Sequence, residues 1–308
     1  MMDTTAQGQQ TSWRVRAGEP FRALSSNRLG FLGLGIIVLF GLLAAAHPVL
    51  MHTIWNRNTY DPVTGFAGGL NPASPSAKHL LGTDQFGRDV LSQLMYSARW
   101  EFALGVVAAL VTVTLGTFVG ATAAYFGGLV DGLLMRLADL VVMMPTLTLL
   151  VVLGVVTPGG LNIWKLALAL GLISGLGATA IVLKAQALAM TKRTYIEAAR
   201  ATGGSHRHII AAHLIPNLMP LAFLSMMFTV TAAIFAEGAL AYFGLLHQRM
   251  SWGIMIHTAQ DGGYLLSGTH YWWLLIPAGL SISSLCGSFY LTGRALDEVV
   301  NPRLRSRR

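Results

Sequence analysis

Six apolar runs, at residues 29–50, 102–125, 133–156, 161–183, 218–246 and 271–291, dictate what this chain can fold into. Each is close to the roughly 20 residues that carry an α-helix across about 30 Å of hydrocarbon. Inside lipid every backbone N–H and C=O must be satisfied within its own segment or in a closed barrel. Uninterrupted apolar runs of this length favour helices over alternating strands, so a barrel is excluded and an all-α membrane protein with about six transmembrane helices is expected. Composition agrees: 54% of the 308 residues are hydrophobic, 11% are charged, and the mean hydropathy is +0.58. The fifth run is long enough to tilt or break. The first ends in AAAHP (44–48), which resembles a signal-peptidase site, but its polar leader and apolar stretch are both too long for a signal peptide, so it reads as an uncleaved span.

Lysine and arginine fix an expected orientation through the positive-inside rule. Arg14, Arg16, Arg22 and Arg28 precede the first span, and Arg136 lies by the second connection. Lys184, Lys192, Arg193, Arg200 and Arg207 fill the fourth connection, and five arginines from Arg294 onward close the chain. All these regions fall on one side, so both termini are expected in the cytoplasm of a multi-pass plasma- or inner-membrane protein. The opposite connections hold Arg57, Lys78, Arg88, Arg99, Lys165 and Arg249, largely offset by Asp61, Asp84, Asp89, Glu101 and Asp261. The net charge of +8 thus reflects topology and requires no nucleic acid. Cys286 is the one cysteine, so no intrachain disulfide exists.

One polar stretch, YIEAARATGGSHRHIIAAHLIPN (195–217), interrupts the oil on the cytoplasmic side. Residues 194–201 favour a helix with Glu197 near its positive end. Gly203 and Gly204 break it, Ser205 can cap a second helix, and Ile209, Ile210 and Leu214 give that helix an apolar side. Pro216 and Pro220 suit the opening of the next span. Small residues such as Ala198, Ala199 and Ala201 leave a compact helical knob that fits a cleft on another protein. An amphipathic connector lying on the lipid surface is the plainer alternative.

EAARATG followed by LIP resembles the EAA loop of ABC importer permeases, the segment that contacts the ATPase. The resemblance assigns ATPase coupling to Glu197, Ala198, Ala199, Gly203 and Pro216. LLGTDQFGRDVLSQLMYSAR (80–99), AYFGGLVDGLLMRLADLVVMMP (124–145) and the terminal NPRLR (301–305) are similar to the permease subunits of dipeptide, oligopeptide and nickel importers. Two stretches depart from that subfamily, FGLLHQRMSWG (243–253) and TGRALDEVVNP (292–302). The resemblance implies the type I importer permease fold and divides the chain into a cytoplasmic segment at 1–28, a first span at 29–50 and an extracytoplasmic segment at 51–101. A five-span core then follows at 102–293, with the loop at 194–217, and a basic cytoplasmic tail at 294–308. It also implies a second homologous permease, cytoplasmic ATPases holding ATP and magnesium, and an extracytoplasmic solute-binding protein. The solute it implies is a di- or oligopeptide, with nickel chelates, glutathione or another small solute as alternatives.

Other polar groups carry less. In GTDQFGRD, Gly82 and Thr83 are expected to turn, Asp84 to cap a helix, and Arg88 and Asp89 to pair locally on an amphipathic helix reaching Arg99, with Gly87 part of the same structural turn. The acidic spacing lacks a calcium-loop pattern, and His206, His208 and His213 lack helical ligand spacing, so no metal is expected. Arg136 and Asp139 are expected to pair at i,i+3. Glu237 has no local cation, which puts it at a subunit interface or along the translocation path. Gly171, Ser174 and Gly175 mark close helix packing. No phosphate-binding loop and no nucleophile–base–acid pattern occur, so the chain is expected to be no enzyme, to carry no cofactor and to depend on ATP hydrolysed elsewhere. The rival class is an ion-coupled secondary transporter built on Glu237 and Asp139, which would leave the EAA loop unexplained and predicts inverted repeats that are not evident.

Overall fold

The structure is a computed structural model that describes residues 27–300. Of the expected N-terminal segment at 1–28, residues 1–26 lie outside the described residues, as does the NPRLR stretch. Within them the chain is helical, with two isolated bridges and no strand. In chain order the helices are α1 (Arg28–Thr53), α2 (Arg57–Tyr60), α3 (Val90–Phe126), α4 (Gly128–Met143), α5 (Thr146–Val156), α6 (Ile163–Ser174) and α7 (Ala180–Thr191). They continue with α8 (Thr194–Ala201), α9 (His206–His208), α10 (Ile215–Tyr242), α11 (Trp252–Asp261) and α12 (Trp272–Val300).

Five stretches are long and apolar enough to span a membrane: α1, α3, Ile163–Thr191, His206–Tyr242 and α12. The sixth expected span, at 133–156, is broken: α4 and α5 meet at 83°. Pro145 supplies the reason, because it forces Met144 out of the helical region, to ψ 127, and itself stands as the N-cap of α5. The long fifth run, expected to tilt or break, is one continuous helix. A π-helical turn at Ile209–Leu214 precedes it, Pro216 stands at its second position, and Pro220 is accommodated inside it.

Helix α3 is the centre of the bundle and packs against α1, α6, α7 and α10, while α12 closes the far side against α1, α10 and α11. Between α3 and the α6–α7 span the two backbones nearly touch. A Cβ on Gly120 would lie 2.8 Å from the Lys184 nitrogen and 2.9 Å from the Ala180 oxygen, and one on Gly171 would lie 3.0 Å from the Ala108 oxygen. Gly175 meets Thr112 in the same way, at 3.0 Å from its oxygen. Gly171 and Gly175 therefore do pack closely, as small residues at helix contacts allow. Between α6 and α7 the helix widens into a π turn at Gly175–Thr179, where Gly177 leaves helical geometry at ψ −116.

The segment ahead of α3 is a tight polar knot. Gly82 (φ +72) and Gly87 (φ +76) take left-handed conformations that turn the chain. Asp84 caps no helix, contrary to expectation. Its carboxylate accepts from the backbone N–H groups of Phe86 and Arg88 at 2.9 Å each, from Arg88 Nε at 2.6 Å and from Gln93 Nε2 at 2.8 Å. The loop itself consumes that carboxylate, and the cap falls to Asp89, which accepts from the Ser92 N–H at 2.7 Å and lies 2.8 Å from His79 Nδ1. Arg88 thus pairs with Asp84 and not with Asp89. Helix α3 begins at Val90, well before the apolar run at 102, because its first three turns bury polar Ser92, Gln93 and Ser97 against this knot. Trp252 and Trp273 tie the knot to α11 and α12 by donating to the carbonyls of Leu94 (3.0 Å) and Thr83 (3.2 Å).

Three outcomes are expected from unfolding of the detergent-solubilised chain. Gly120→Ala should destabilise by about 1–3 kcal/mol, since only backbone faces the new methyl. Gly35→Ala, with nothing within 4 Å, should cost nothing. Asp84→Ala should cost about 3 kcal/mol by stranding the Arg88 guanidinium and the Gln93 amide, and an unchanged midpoint would refute the knot's role.

Candidate functional site

Residues 194–217 form a capped hairpin at one end of the bundle. Helix α8 presents Ile196 inward, fully buried, and turns Glu197, Ala198 and Arg200 outward. Its end is fixed by a pair of reverse bonds, from the Gly203 N–H to Arg200 O and from the Gly204 N–H to Ala199 O, both 3.0 Å. Gly203 sits at φ +79, a left-handed conformation natural to glycine alone. At Gly204 a Cβ would come within 2.7 Å of the Ala199 oxygen. Ser205 then caps the returning helix by accepting from the His208 N–H at 3.3 Å.

The hairpin is rooted in the bundle. Ile196, Ile209 and Leu214 share one buried cluster with Leu183 and Ala187 of α7 and Ala121 of α3. At the end of α3, the Tyr125 hydroxyl lies 2.9 Å from His206 Nδ1, and the Arg200 guanidinium lies 4.7 Å above the Tyr125 ring. His208 stands edge-on to His213 at 5.6 Å, so the three histidines diverge between two separate contacts. Pro216 stands at the second position of α10, partly outside the root. The arrangement is a small exposed knob on a packed base, and among the described residues Glu197 on its face has no ion-pair partner. The knob is joined to α3 through Tyr125 and runs on into α10 as helix.

The remaining polar residues fall elsewhere. Arg136 and Asp139, expected to pair, both stand exposed, and the ion pair of this region joins Asp131 to Lys184 at 2.5 Å, linking α4 to α7. Glu237, expected at a subunit interface or along the translocation path, has its side chain turned into this chain's own bundle. It is fully buried inside the chain beside Glu101, also fully buried, with the N-cap Ser251 of α11 close by. None of the four carboxyl oxygens makes a hydrogen bond of good geometry. Glu101 was not singled out from the sequence, because it sits at the edge of an apolar run and its neighbour lies more than a hundred residues away.

An open cavity of about 360 Å³ lies where the α4–α5 break faces the π turn and α10. Thr146, Ser174, Thr179, Ser225 and Thr229 give it a hydroxyl-rich lining, with Phe228 and Val141 supplying apolar wall. Ser174 thus lines a cavity instead of a helix contact. The sequence signals for this space are Pro145 and the glycines of the π turn, both of which bend a span away from its neighbours.

Residues 112–306 match the family described as the binding-protein-dependent transport system inner membrane component. The chain is 32% identical to the dipeptide transport system permease protein DppC of Bacillus subtilis (strain 168), over 93% of this chain and 86% of that protein. It is 33% identical to the oligopeptide transport system permease protein OppC of the same organism, over 91% and 87%, and 31% identical to OppC of Mycobacterium bovis, over 93% and 94%. With its helical spans, its capped hairpin and a family match over most of its length, the chain belongs to the inner membrane components of binding-protein-dependent transport systems.

Proposed function

We propose that the chain is one of two permease subunits of an ATP-driven importer of di- and oligopeptides. The observation that carries this reading is the hairpin at 194–217, an exposed knob fixed to two spans, in a chain similar throughout to named dipeptide and oligopeptide permeases. Both termini and the hairpin lie in the cytoplasm, as the arginine and lysine distribution supports, and residues 51–101 face outward. Glu197, Ala198, Ala199 and Gly203 form the face that a cytoplasmic ATPase grips, and Pro216 begins the span that carries the motion inward.

ATP and magnesium belong to those ATPases, and hydrolysis takes place there. A solute-binding protein delivers the peptide to the outer face, where knot and α11 stand. ATPase closure pulls on the hairpin, and coupling requires that its contacts differ between the open and closed ATPase states. The hydroxyl-rich cavity between the α4–α5 break and α10 is this subunit's part of the pathway. Its neutral hydrogen-bonding groups suit peptide backbones of varied side chains, and the absence of a charged wall fits a broad substrate range.

The test is reconstitution with the ATPase subunits, second permease and binding protein. Glu197→Ala should leave the chain folded and lower peptide-stimulated ATP hydrolysis roughly tenfold, within the usual range of coupling energies. Gly203→Trp adds bulk to the knob and a side chain at positive φ, and should abolish ATPase co-purification. Full peptide uptake by both variants, or uptake in vesicles without ATP, would sink the reading.

A further inference from the structure

At the opposite end of the bundle a cavity of about 600 Å³ opens between the last turns of α1, the α2 segment and the polar start of α3. Arg57, Arg99 and Arg249 line it from three separate elements, and among the described residues none of them is in an ion pair. Arg99 is braced by the Trp100 ring, 5.7 Å from its guanidinium. His47 and His52 line the same space. Its one acidic residue is Asp61, whose Oδ1 is already occupied by the N–H groups of Val63 (2.9 Å) and Thr64 (2.8 Å). Burial works against the Asp61 charge, but those N–H bonds outweigh it and hold its carboxyl below the usual carboxylate range. Three arginines therefore face one carboxylate that is turned to its own loop.

Depth in the membrane identifies the ligand. Helix α1 has 26 residues, a length of about 39 Å, which exceeds a hydrocarbon core of about 30 Å. On the orientation given under Proposed function, the surplus length sets its last turn, with His52, at the level of the outer headgroups. Trp55, Trp100 and Trp164 surround the same level, as tryptophans do at a membrane interface. Below the cavity, Val38, Leu42, Ala45 and Val49 form one exposed apolar stripe at helical spacing that leads up to His52. The stripe accommodates a hydrocarbon chain, and the arginine forks above it suit phosphate oxygens.

We propose that this cavity binds the phosphate of an anionic phospholipid headgroup of the outer leaflet, with an acyl chain along the exposed stripe of α1. The assignment rests on the orientation and membrane placement given under Proposed function. Bound lipid would brace the end of α1 against α3 and the outer knot, beside the existing contact of His47 with Ser92 (3.2 Å).

The test purifies the full chain with its co-purifying subunits in neutral detergent and measures retained phosphatidylglycerol by mass spectrometry. Thermal stability is followed on adding phosphatidylglycerol, phosphatidylcholine or inorganic phosphate. Phosphatidylglycerol should be retained by wild type and raise its melting temperature more than the other two. Retention should fall about fivefold for each arginine removed in Arg57→Gln, Arg99→Gln and Arg249→Gln. If the triple variant fails to assemble, the single variants and Arg99→Lys decide, the lysine retaining charge but losing the fork and falling between wild type and Arg99→Gln. Unchanged retention in all of them overturns the site. Equal stabilisation by inorganic phosphate overturns the lipid source. Variants that keep lipid but lose an acidic extracytoplasmic protein would reassign the arginines to protein docking. ATPase content of the same samples reports on the hairpin at the other end, so failure of the lipid site and failure of the importer reading are distinguishable.

Discussion

Close backbone approach at the glycines of α3 is the constraint on which the bundle depends. Apolar side chains gain little by leaving lipid for another helix, so association in a membrane rests on packing and interhelical hydrogen bonds, and small residues let those contacts form. Gly116 and Gly120 of α3 face Thr179 and the backbone of α7, while Gly171 and Gly175 of the opposing span face Val111 and Thr112. The contact is reciprocal, glycine from each side meeting bulk from the other. It sets α3 as an axis, and the hairpin, the cavity and the polar knot are all placed relative to that axis.

Polar groups then distribute by whether a partner exists locally. At the end of the bundle away from the hairpin, Asp84, Asp89, Arg88 and His79 satisfy one another within a short stretch of chain. At the hairpin, Tyr125 reaches across from α3 to His206 and Arg200. Glu101 and Glu237 are the exception, two acids buried together with no cation beside them. Such a site is expensive, and it lies fully buried where α3 and α10 meet the start of α11.

How much of this is legible in sequence follows from the range of each interaction. The spans at 29–50, 102–125, 161–183, 218–246 and 271–291 were readable because hydropathy is a local sum, and the Gly203–Gly204–Ser205 turn because capping acts over three or four residues. The break at Pro145 was missed because hydropathy continues through it; the proline itself was the available signal. Asp84 and Asp89 exchanged roles because two neighbouring aspartates can each cap a helix, and the choice depends on Gln93 and the left-handed Gly87. The Glu101–Glu237 contact and the arginine cavity had no local trace at all: each gathers residues from distant elements, and one sequence without relatives gives no pairing between them.

The continuity of helix from His206 to Tyr242 has a geometric consequence. At 37 residues the stretch is about 55 Å long, so a tilt of about 5° at its root sweeps the opposite tip through roughly 5 Å. That tip carries Glu237 and abuts the Ser251 cap of α11. A displacement too small to disturb the cluster around Ile196 and Leu214 would become, at the far tip, as wide as a side chain. Helix length alone therefore gives leverage between the two ends of the bundle.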